Sequence, residues 1–233
     1  MWLGSPNFTP FLAEFGLMML PRFRGNGAGN HWHDSDVAVA VSARVQVRRA
    51  MQPRMPGQAN ENRVWEPILR PRLDVIFVGF NPSLPAWRTG HYYANPGNRF
   101  YRLLWESGLT PRLLAPAEDR TLLDYGIGAV DLLPLPSARA DLMPATAFRA
   151  AVPVLLGRLA LLEAGAVCCN GIGVYRHLFG RSPAHVGRQW GEAIGASALF
   201  VVPSTSGLVN GRSAERLLAF RGLAAFVRAI DSR

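Results

Sequence analysis

The sequence contains no lysine: all 25 basic residues are arginine, set against 16 aspartates and glutamates. Because a lysine amine is the usual group that forms a Schiff base, covalent chemistry of that kind has no such side chain to use. The formal charge of +9 favours a polyanionic partner if the arginines cluster. Evenly spread charge would give no specific partner.

Cysteine is scarce as well. The two cysteines, Cys168 and Cys169, are adjacent within an apolar run. Neighbouring residues of a strand point to opposite faces, so a disulfide between them would be strained. Two thiolates are also too few for an iron–sulfur cluster. We expect two small buried residues in a reducing compartment.

Long apolar runs are missing too. No window of about 20 apolar residues offers a membrane span. The first 20 residues, MWLGSPNFTPFLAEFGLMML, have no basic residue before their apolar part and include Glu14, which is unlike a signal peptide. We therefore expect a cytoplasmic protein without a membrane partner.

Several familiar site motifs are absent. There is no G-x-S-x-G elbow and no G-x-x-x-x-G-K-[S/T] loop, which argues against a small α/β hydrolase or a nucleotide-binding protein. His91, His177 and His185 are scattered, and the pair His31 and His33 has no further ligand nearby. We expect neither a metal nor a cofactor.

Residues 1–66 differ in composition from the rest of the chain. They include RGNGAGNHWHD and MQPRMPGQANENR, which are polar and rich in Gly, Pro and Asn. This composition predicts a flexible N-terminal extension, followed by one folded domain over residues 67–233.

Within that domain, apolar runs of strand length alternate with segments of helical spacing. Runs without alternation are typical of strands buried on both faces, and strands that alternate with helices imply parallel crossovers. The pattern predicts an α/β fold, a three-layer α/β/α sandwich around a short, mostly parallel sheet. The predicted strands are 73–80, 127–133, 166–171 and 198–204, and the predicted helices are 98–108, 145–165, 174–180 and 211–230.

Each predicted strand ends at a hydrogen-bonding residue. In open α/β sheets a ligand lies beyond the carboxyl ends of the strands. These ends therefore predict a shared crevice. The residues are Asn81, Asp131, Asn170 and the run Ser204-Thr205-Ser206.

The stretch LDVIFVGFNPSLPAWRTGHYYANPGNRF carries the most information. Pro82 restricts Asn81 to an extended backbone, so the amide of Asn81 could position a water while backbone N–H groups of the turn receive a negative oxygen. Tyr92 and Tyr93 offer aromatic faces, and such a combination suits a planar, polar heterocycle. A structural Asn-Pro turn with core tyrosines would account equally well for these residues.

The motifs GFNPS and TGHYYANPGNRFYRLLWESGLT closely resemble the first motif of the mismatch-specific uracil/thymine DNA glycosylases. The similarity continues through YGIGAVDLL and VCCNGIGVY and ends at PSTSGLVNG, which is similar to the second motif of that family. It covers residues 67–230, approximately the whole predicted domain, and it implies the fold of the uracil-DNA glycosylases.

The resemblance implies roles for individual residues. Asn81 matches the catalytic Asn that orients the attacking water, and Tyr93 matches the aromatic residue that stacks on the flipped base. Backbone N–H groups around Phe80 and Ser83, with Asn170, would border the base. In the second motif, Leu208 would be the wedge that enters the duplex. The remaining DNA-contacting positions would be Ser204, Ser206, Gly207, Val209 and Asn210.

Phe80, Ser83 and Asn210 depart from the family pattern, as does Asp131. Ser83 replaces a glycine and Phe80 replaces a smaller aliphatic residue. Both changes could narrow the pocket, so we expect thymine to be a poor substrate. Asn210 stands where some family members carry arginine, which leaves recognition of the opposite guanine by this residue open.

Asp131 is a carboxylate in an otherwise apolar strand. Burying it unpaired would cost several kcal/mol, so a purely structural role satisfied by caps or arginines is one interpretation. The other is catalysis beside Asn81, by activating water or stabilising the sugar cation. The family commonly has Asn at this position.

Taken together, the sequence predicts a monomeric, metal-independent DNA N-glycosylase of base-excision repair. Its partner would be duplex DNA that contains uracil, with a U:G mismatch as the expected context. Without lysine we expect a monofunctional enzyme that leaves an abasic site. The alternative is a catalytically silent nucleic-acid-binding module of the same fold.

Overall fold

The computed structural model describes residues 64–137, 145–183, 185–207 and 213–231. All of them lie in the unit Met55–Arg233. The strands are β1 (Val75–Gly79), β2 (Ile127–Asp131), β3 (Ala166–Asn170), β4 (Gly187–Ile194) and β5 (Ser197–Val202). The helices are α1 (Leu84–Thr89), α2 (Phe100–Ser107), a 3-10 helix (Pro116–Tyr125), α3 (Ala145–Leu161), α4 (Ile172–Phe179) and α5 (Ser213–Asp231).

The described strands form one sheet in the order β2-β1-β3-β5-β4. β1 pairs in parallel with β2 and with β3, and β3 pairs in parallel with β5. All five residues of β1 and of β3 are buried. Continuous apolar strands of this kind need cover on both faces, and the helices supply it.

Two apolar layers lie on opposite faces of the sheet. On one face, Phe77 and Cys168 pack with residues of α2 and α5; on the other, Val78 and Cys169 pack with residues of α3 and α4. The adjacent cysteines thus point to opposite faces, as strand geometry predicts. The α/β/α sandwich expected from the sequence is confirmed.

The helices follow the predicted segments closely. α3 runs continuously from Ala145 to Leu161 and contains Pro153 within it, so the proline does not end the helix. α2 begins at Phe100, and Asn98 accepts the Phe100 backbone N–H at 3.0 Å from one position outside the helix cap. None of the described helices combines the length and apolarity needed to cross a bilayer.

β4 is the strand that the sequence did not predict, and α1 and the 3-10 helix were not predicted either. β4 is an edge strand, antiparallel to β5, with a register shift between Arg188 and Ala193. Its sequence, GRQWGEAI, has a mixed burial pattern. Because such an edge strand needs no continuous apolar run, hydrophobic periodicity does not reveal it.

The residues just before the predicted domain boundary pack onto the domain. Trp65 is buried. Ile68 forms an antiparallel bridge with Ala129 of β2 through two backbone hydrogen bonds of 2.9 Å. Arg120 donates to the carbonyls of Glu66 and Pro67 at 3.4 and 3.3 Å. This strap, residues 64–68, therefore lies along the outer edge of the sheet.

Candidate active site

The loops that follow β1 and β2 run side by side beyond the sheet. Gly79 is the register partner of Asp131. Past that point, the Leu132 N–H donates to the Gly79 carbonyl at 2.9 Å, and the Ser137 N–H donates to the Pro82 carbonyl at 3.2 Å. The ladder thus extends past the strands and fixes the two loops to each other at the carboxyl edge.

Asp131 ends β2 with its side chain on the face that carries Trp65. Its Oδ2 accepts the indole N–H of Trp65 at 2.8 Å. The residue retains some exposed surface, but its carboxylate lies among packed atoms. Burial consequently raises the pKa of Asp131 to about 7, and the hydrogen bond from Trp65 opposes that rise.

Gly79 leaves the space that the second carboxylate oxygen occupies. A Cβ at position 79 would overlap Oδ1 of Asp131 and would lie 3.6 Å from the hydroxyl oxygen of Tyr93. The carboxylate and the phenol therefore converge over one backbone position. The pKa of Tyr93 is raised, first by burial and then by the negative charge of Asp131, with the Asn170 side chain opposing the shift.

Tyr93 has a left-handed backbone, with φ of 56°, which is unusual and costly for a residue with a side chain. Its ring stacks on Phe100, with centroids 3.8 Å apart and planes inclined by 27°. Its hydroxyl is buried and makes no hydrogen bond of regular geometry within the described residues. Strain of this kind persists only where neighbouring groups hold the backbone.

Those neighbouring groups act on Tyr92. Asp119, which is buried, accepts the Tyr92 backbone N–H at 2.9 Å, and the Tyr101 hydroxyl donates to the Tyr92 carbonyl at 2.8 Å. His91 lies with Nδ1 3.4 Å from the other Asp119 oxygen, although the angle is poor for a hydrogen bond. The N–H and the carbonyl of Tyr92 are therefore both hydrogen-bonded, and they hold the backbone that leads into Tyr93.

Asn81 has a side chain of defined orientation. Its amide nitrogen donates to the Leu135 carbonyl at 3.1 Å, to the Ser137 hydroxyl at 2.9 Å and to the Pro82 carbonyl at 3.2 Å. Since carbonyl oxygens accept only, the nitrogen must face this loop. The amide oxygen is thereby the group left to accept a hydrogen bond from a water or ligand.

Ser83 begins α1. Its hydroxyl accepts the Ala86 backbone N–H at 3.3 Å as a helix N-cap. The serine that replaces the family's glycine thus has a structural use, beside its predicted position at the base pocket.

Phe80 is not brought to the Asp131 cluster. Its ring packs edge-on against Phe148 and His177 and contacts Gly173, on the face that carries α3 and α4. Because Phe80 and Gly79 alternate along the chain, their sides of the sheet differ. The prediction that the Phe80 ring narrows a pocket near Asp131 is therefore not supported by this geometry.

Asn170 ends β3 and binds the loop that follows β5. Its amide nitrogen donates to the Thr205 hydroxyl at 3.0 Å, and its oxygen accepts the Thr205 backbone N–H at 3.1 Å. The Thr205 carbonyl in turn accepts the Arg99 backbone N–H at 3.0 Å. Asn170 therefore holds this loop while its side chain also lies near the Tyr93 hydroxyl.

The second-motif loop lies against the first. Ser204 and Ser206 are partly buried, and the Ser206 N–H donates to the Ser204 hydroxyl at 3.3 Å. A Cβ at Gly207 would lie 2.6 Å from the Gly97 carbonyl oxygen, so glycine permits this close approach. The predicted wedge Leu208, with Val209 and Asn210, lies outside the described residues.

A groove of about 390 Å³ lies on the opposite face, between α3 and α4, and is separated from Asp131 by the sheet. It is lined by Phe148, Arg149, Val152, Arg176 and His177. No group of three or more potential metal ligands is found among the described residues.

Two contributors to the site were missed in the sequence. Trp65 stands alone in VWEP, and no periodicity marks it as buried. Asp119 lies in the 3-10 helix, whose sequence PAEDRTLLDY reads as a polar connection. A weak signal existed for Asp119, because an acidic residue in a helical first turn often binds backbone N–H groups.

The fold and the candidate site define an α/β protein whose candidate ligand-binding groups lie at the carboxyl ends of a mostly parallel sheet. Comparison with known families gives a more specific answer. Residues 67–228 match the family described as the Uracil DNA glycosylase superfamily, which is more than half of the chain. The chain belongs to this superfamily, and it is accordingly a hydrolase of the DNA glycosylase type that acts on DNA in repair.

Proposed function

We propose that this chain is a mismatch-specific uracil-DNA glycosylase. It flips uracil out of duplex DNA, with U:G as the preferred context, and hydrolyses the N-glycosidic bond to leave an abasic site. The observation that carries this proposal is the set of groups at the carboxyl edge: Asp131 and Tyr93 converge over Gly79, and the Asn81 amide is oriented in the loop that follows β1.

The proposed chemistry assigns one role to each group. The amide oxygen of Asn81 orients a water, whose oxygen forms a bond with C1′ of the deoxyribose as the bond between C1′ and the base nitrogen breaks. Asp131 stabilises the cationic sugar and takes the proton of the water. Backbone N–H groups near Ser83 stabilise the electron pair that leaves with the base.

The aromatic platform suits a flipped pyrimidine. Phe100 supports one face of the Tyr93 ring, and within the described residues no second ring stacks in parallel on its other face. Base stacking on such a ring stabilises binding by about 1–3 kcal/mol. Asn170 and the loop Ser204, Ser206 and Gly207 border this platform, with Leu208 as the proposed wedge and Val209 and Asn210 beside the opposite base.

The pKa of Asp131 sets an expected pH dependence. The proposed role needs the ionised carboxylate, and burial raises its pKa to about 7. The excision rate should therefore increase as the pH rises through about 7 and should level off above it.

A single-turnover assay tests the proposal. The protein is incubated with a duplex oligonucleotide containing one U:G pair, and alkali then cleaves the strand at any abasic site. We expect cleavage with the U:G duplex and slower cleavage with a T:G duplex, because Ser83, in place of the family's glycine, is proposed to narrow the pocket against the thymine methyl group. Equal rates on the two duplexes would contradict the proposed discrimination against thymine. A lack of cleavage of either duplex would contradict the proposed glycosylase function.

The absence of lysine supports a monofunctional reaction. Borohydride reduces a Schiff base to a stable amine, so it traps enzymes that use one. We expect no protein–DNA adduct after borohydride treatment during turnover, and a trapped adduct would contradict this part of the proposal.

A catalytically silent binding module is the less favoured function. Pure binding would require neither an amide fixed with its oxygen outward nor a carboxylate kept at a buried strand end, which costs folding free energy. Both groups are present here in a chain of the glycosylase superfamily.

A further inference from the structure

Trp65 contacts the site from outside the residues that match the superfamily. The match begins at residue 67, yet the Trp65 indole reaches Asp131. We propose that Trp65 is a positioning residue for Asp131: its indole N–H holds one carboxylate oxygen in place and so directs the other toward the proposed reaction centre.

The geometry of the contact supports this role. The indole N–H donates to Oδ2 at 2.8 Å, while Oδ1 lies over the Cα of Gly79 on the side of the Tyr93 hydroxyl. An indole has one donor and no acceptor, so it can bind the carboxylate but cannot act as a base. A carboxylate held through one oxygen cannot rotate freely, and its second oxygen keeps one direction.

The Trp65 ring is itself fixed by neighbouring aromatic rings. It stacks on Trp87 with centroids 6.0 Å apart and packs against Tyr92 at 4.7 Å. It does not stack on Tyr93, the proposed base platform. Trp65 therefore encloses Asp131 without occupying the space proposed for the base.

The strap 64–68 is attached to the domain directly after Trp65. The two hydrogen bonds from Arg120 to the Glu66 and Pro67 carbonyls and the bridge between Ile68 and Ala129 fix the backbone at positions 66 to 68. An indole on such a backbone loses little further freedom when it binds Asp131. The strap is thus held in place by its own contacts with the domain, and Trp65 is positioned beside Asp131.

The charges around Asp131 determine what removing the N–H does. The titratable groups that face the carboxylate are the hydroxyls of Tyr92 and Tyr93, and both have a raised pKa, so they are neutral near pH 7. Arg120 acts on Tyr92 from the 3-10 helix. With these neighbours unchanged, loss of the indole donor should raise the pKa of Asp131 further, because the donor favours the charged form.

The test compares Trp65→Phe, which keeps an aromatic ring but has no N–H, with Trp87→Phe, which alters the neighbouring ring and leaves the donor in place. This activity readout rests on the proposed function. We expect Trp65→Phe to move the midpoint of the pH–rate profile up by about one pH unit, with most of the rate recovered at high pH. Trp87→Phe should leave the midpoint unchanged.

A second measurement needs neither catalysis nor a stable variant of Trp65. In the ¹H–¹⁵N spectrum of the wild-type protein, the indole resonance of Trp65 should shift with pH near 7. In Asp131→Asn, that pH dependence should be absent. Trp65→Phe assigns the resonance if it folds, and otherwise the loss of one titrating indole signal in Asp131→Asn assigns it.

The outcomes separate the two proposals. An unchanged midpoint in Trp65→Phe, or an indole resonance that does not titrate with Asp131, would overturn the positioning role. A titrating indole in a protein that excises no uracil would support the Trp65–Asp131 contact and remove the glycosylase proposal alone.

Discussion

Asp119 and Asp131 both have carboxylates enclosed by protein, and they are held very differently. Asp119 accepts a backbone N–H from Tyr92 and has His91 beside its other oxygen. Asp131 accepts one side-chain hydrogen bond, from Trp65, and its other oxygen lies in the gap over Gly79. The first is bound in a way that stabilises a loop, whereas the second is left with one oxygen available at the edge of the sheet.

This difference helps to distinguish a buried carboxylate with a structural role from one with a functional role. Backbone donors supplied by a local turn satisfy a buried charge and fix the chain around it. A carboxylate kept at a raised pKa by burial, without such donors, costs folding free energy, and that cost is typical of functional positions.

The largest expected effect is on catalysis. Asp131→Asn should lower the single-turnover excision rate by about 100-fold to 10,000-fold, the usual worth of a positioned acid or base. The loss should be at least as large as that of Asn81→Ala. The measurement is uracil excision from a U:G duplex at pH 8.

The matched control is Asp124→Asn, because Asp124 is an exposed aspartate on the same 3-10 helix as Asp119. It should keep the wild-type rate. Near-wild-type turnover by Asp131→Asn would show that Asp131 is structural after all.

The second effect is on the pH dependence of stability. The folded pKa of Asp131, about 7, exceeds the unfolded value of about 3.9. The folded state therefore binds more protons between these values, and the wild-type free energy of unfolding should fall as the pH rises from about 4 to about 7.

Asp131→Asn removes this decline and should be more stable than the wild type at pH 8, by up to about 4 kcal/mol. Urea denaturation at pH 4, 6 and 8 measures it. Parallel pH profiles for the two proteins would contradict the raised pKa.

The third effect is a loss of stability, whereas Asp131→Asn is expected to increase stability. Asp119→Ala leaves the buried Tyr92 N–H without its acceptor, so it should lower the free energy of unfolding by about 1–3 kcal/mol. Urea denaturation at pH 7 measures the change, with Asp124→Ala as the surface control. If Asp119→Ala were as stable as the wild type, Asp119 would not have the structural role that distinguishes it from Asp131.

The smallest effect concerns the partner of Asp119. The His91 side chain is 35% exposed and its Nδ1 lies 3.4 Å from the carboxylate, without hydrogen-bond geometry. Because the histidine is partly in solvent and the pair lacks hydrogen-bond geometry, we expect it to contribute about 1 kcal/mol or less, so His91→Ala should cost no more than that in the same denaturation assay. A larger loss would mean that the histidine, rather than the backbone N–H, holds Asp119.

The sequence predicts the parallel part of the fold well, because its four buried strands are continuous apolar runs between helical segments. It does not predict β4, whose single paired edge tolerates Gly, Glu and an exposed Trp190. It also does not predict that Trp65 is buried. That residue is held by tertiary contacts with Trp87, Tyr92 and Asp131, which no local pattern announces.

For the site, the strand ends correctly bring Asp131 and Asn170 to the carboxyl edge, since parallel strands share their exits. What the sequence cannot supply is the direction of each side chain. Asn170 is bound on both amide atoms by Thr205, and the Phe80 ring lies on the other face. The face on which a side chain lies alternates from residue to residue along a strand. A strand end read from the sequence can be wrong by one or two residues, which is enough to reverse the face.

Thr205 is hydrogen-bonded to two separate parts of the chain. It exchanges two hydrogen bonds with the Asn170 side chain, and its carbonyl accepts the Arg99 backbone N–H. Two of these three hydrogen bonds use the Thr205 backbone, and only the one from the Asn170 amide nitrogen uses the side chain. A residue without a hydroxyl at position 205 would therefore leave the buried Asn170 amide nitrogen without this acceptor, whereas serine would keep it. Laboratory evolution of the second motif is consequently best directed at the residues after 207, with a hydroxyl kept at position 205.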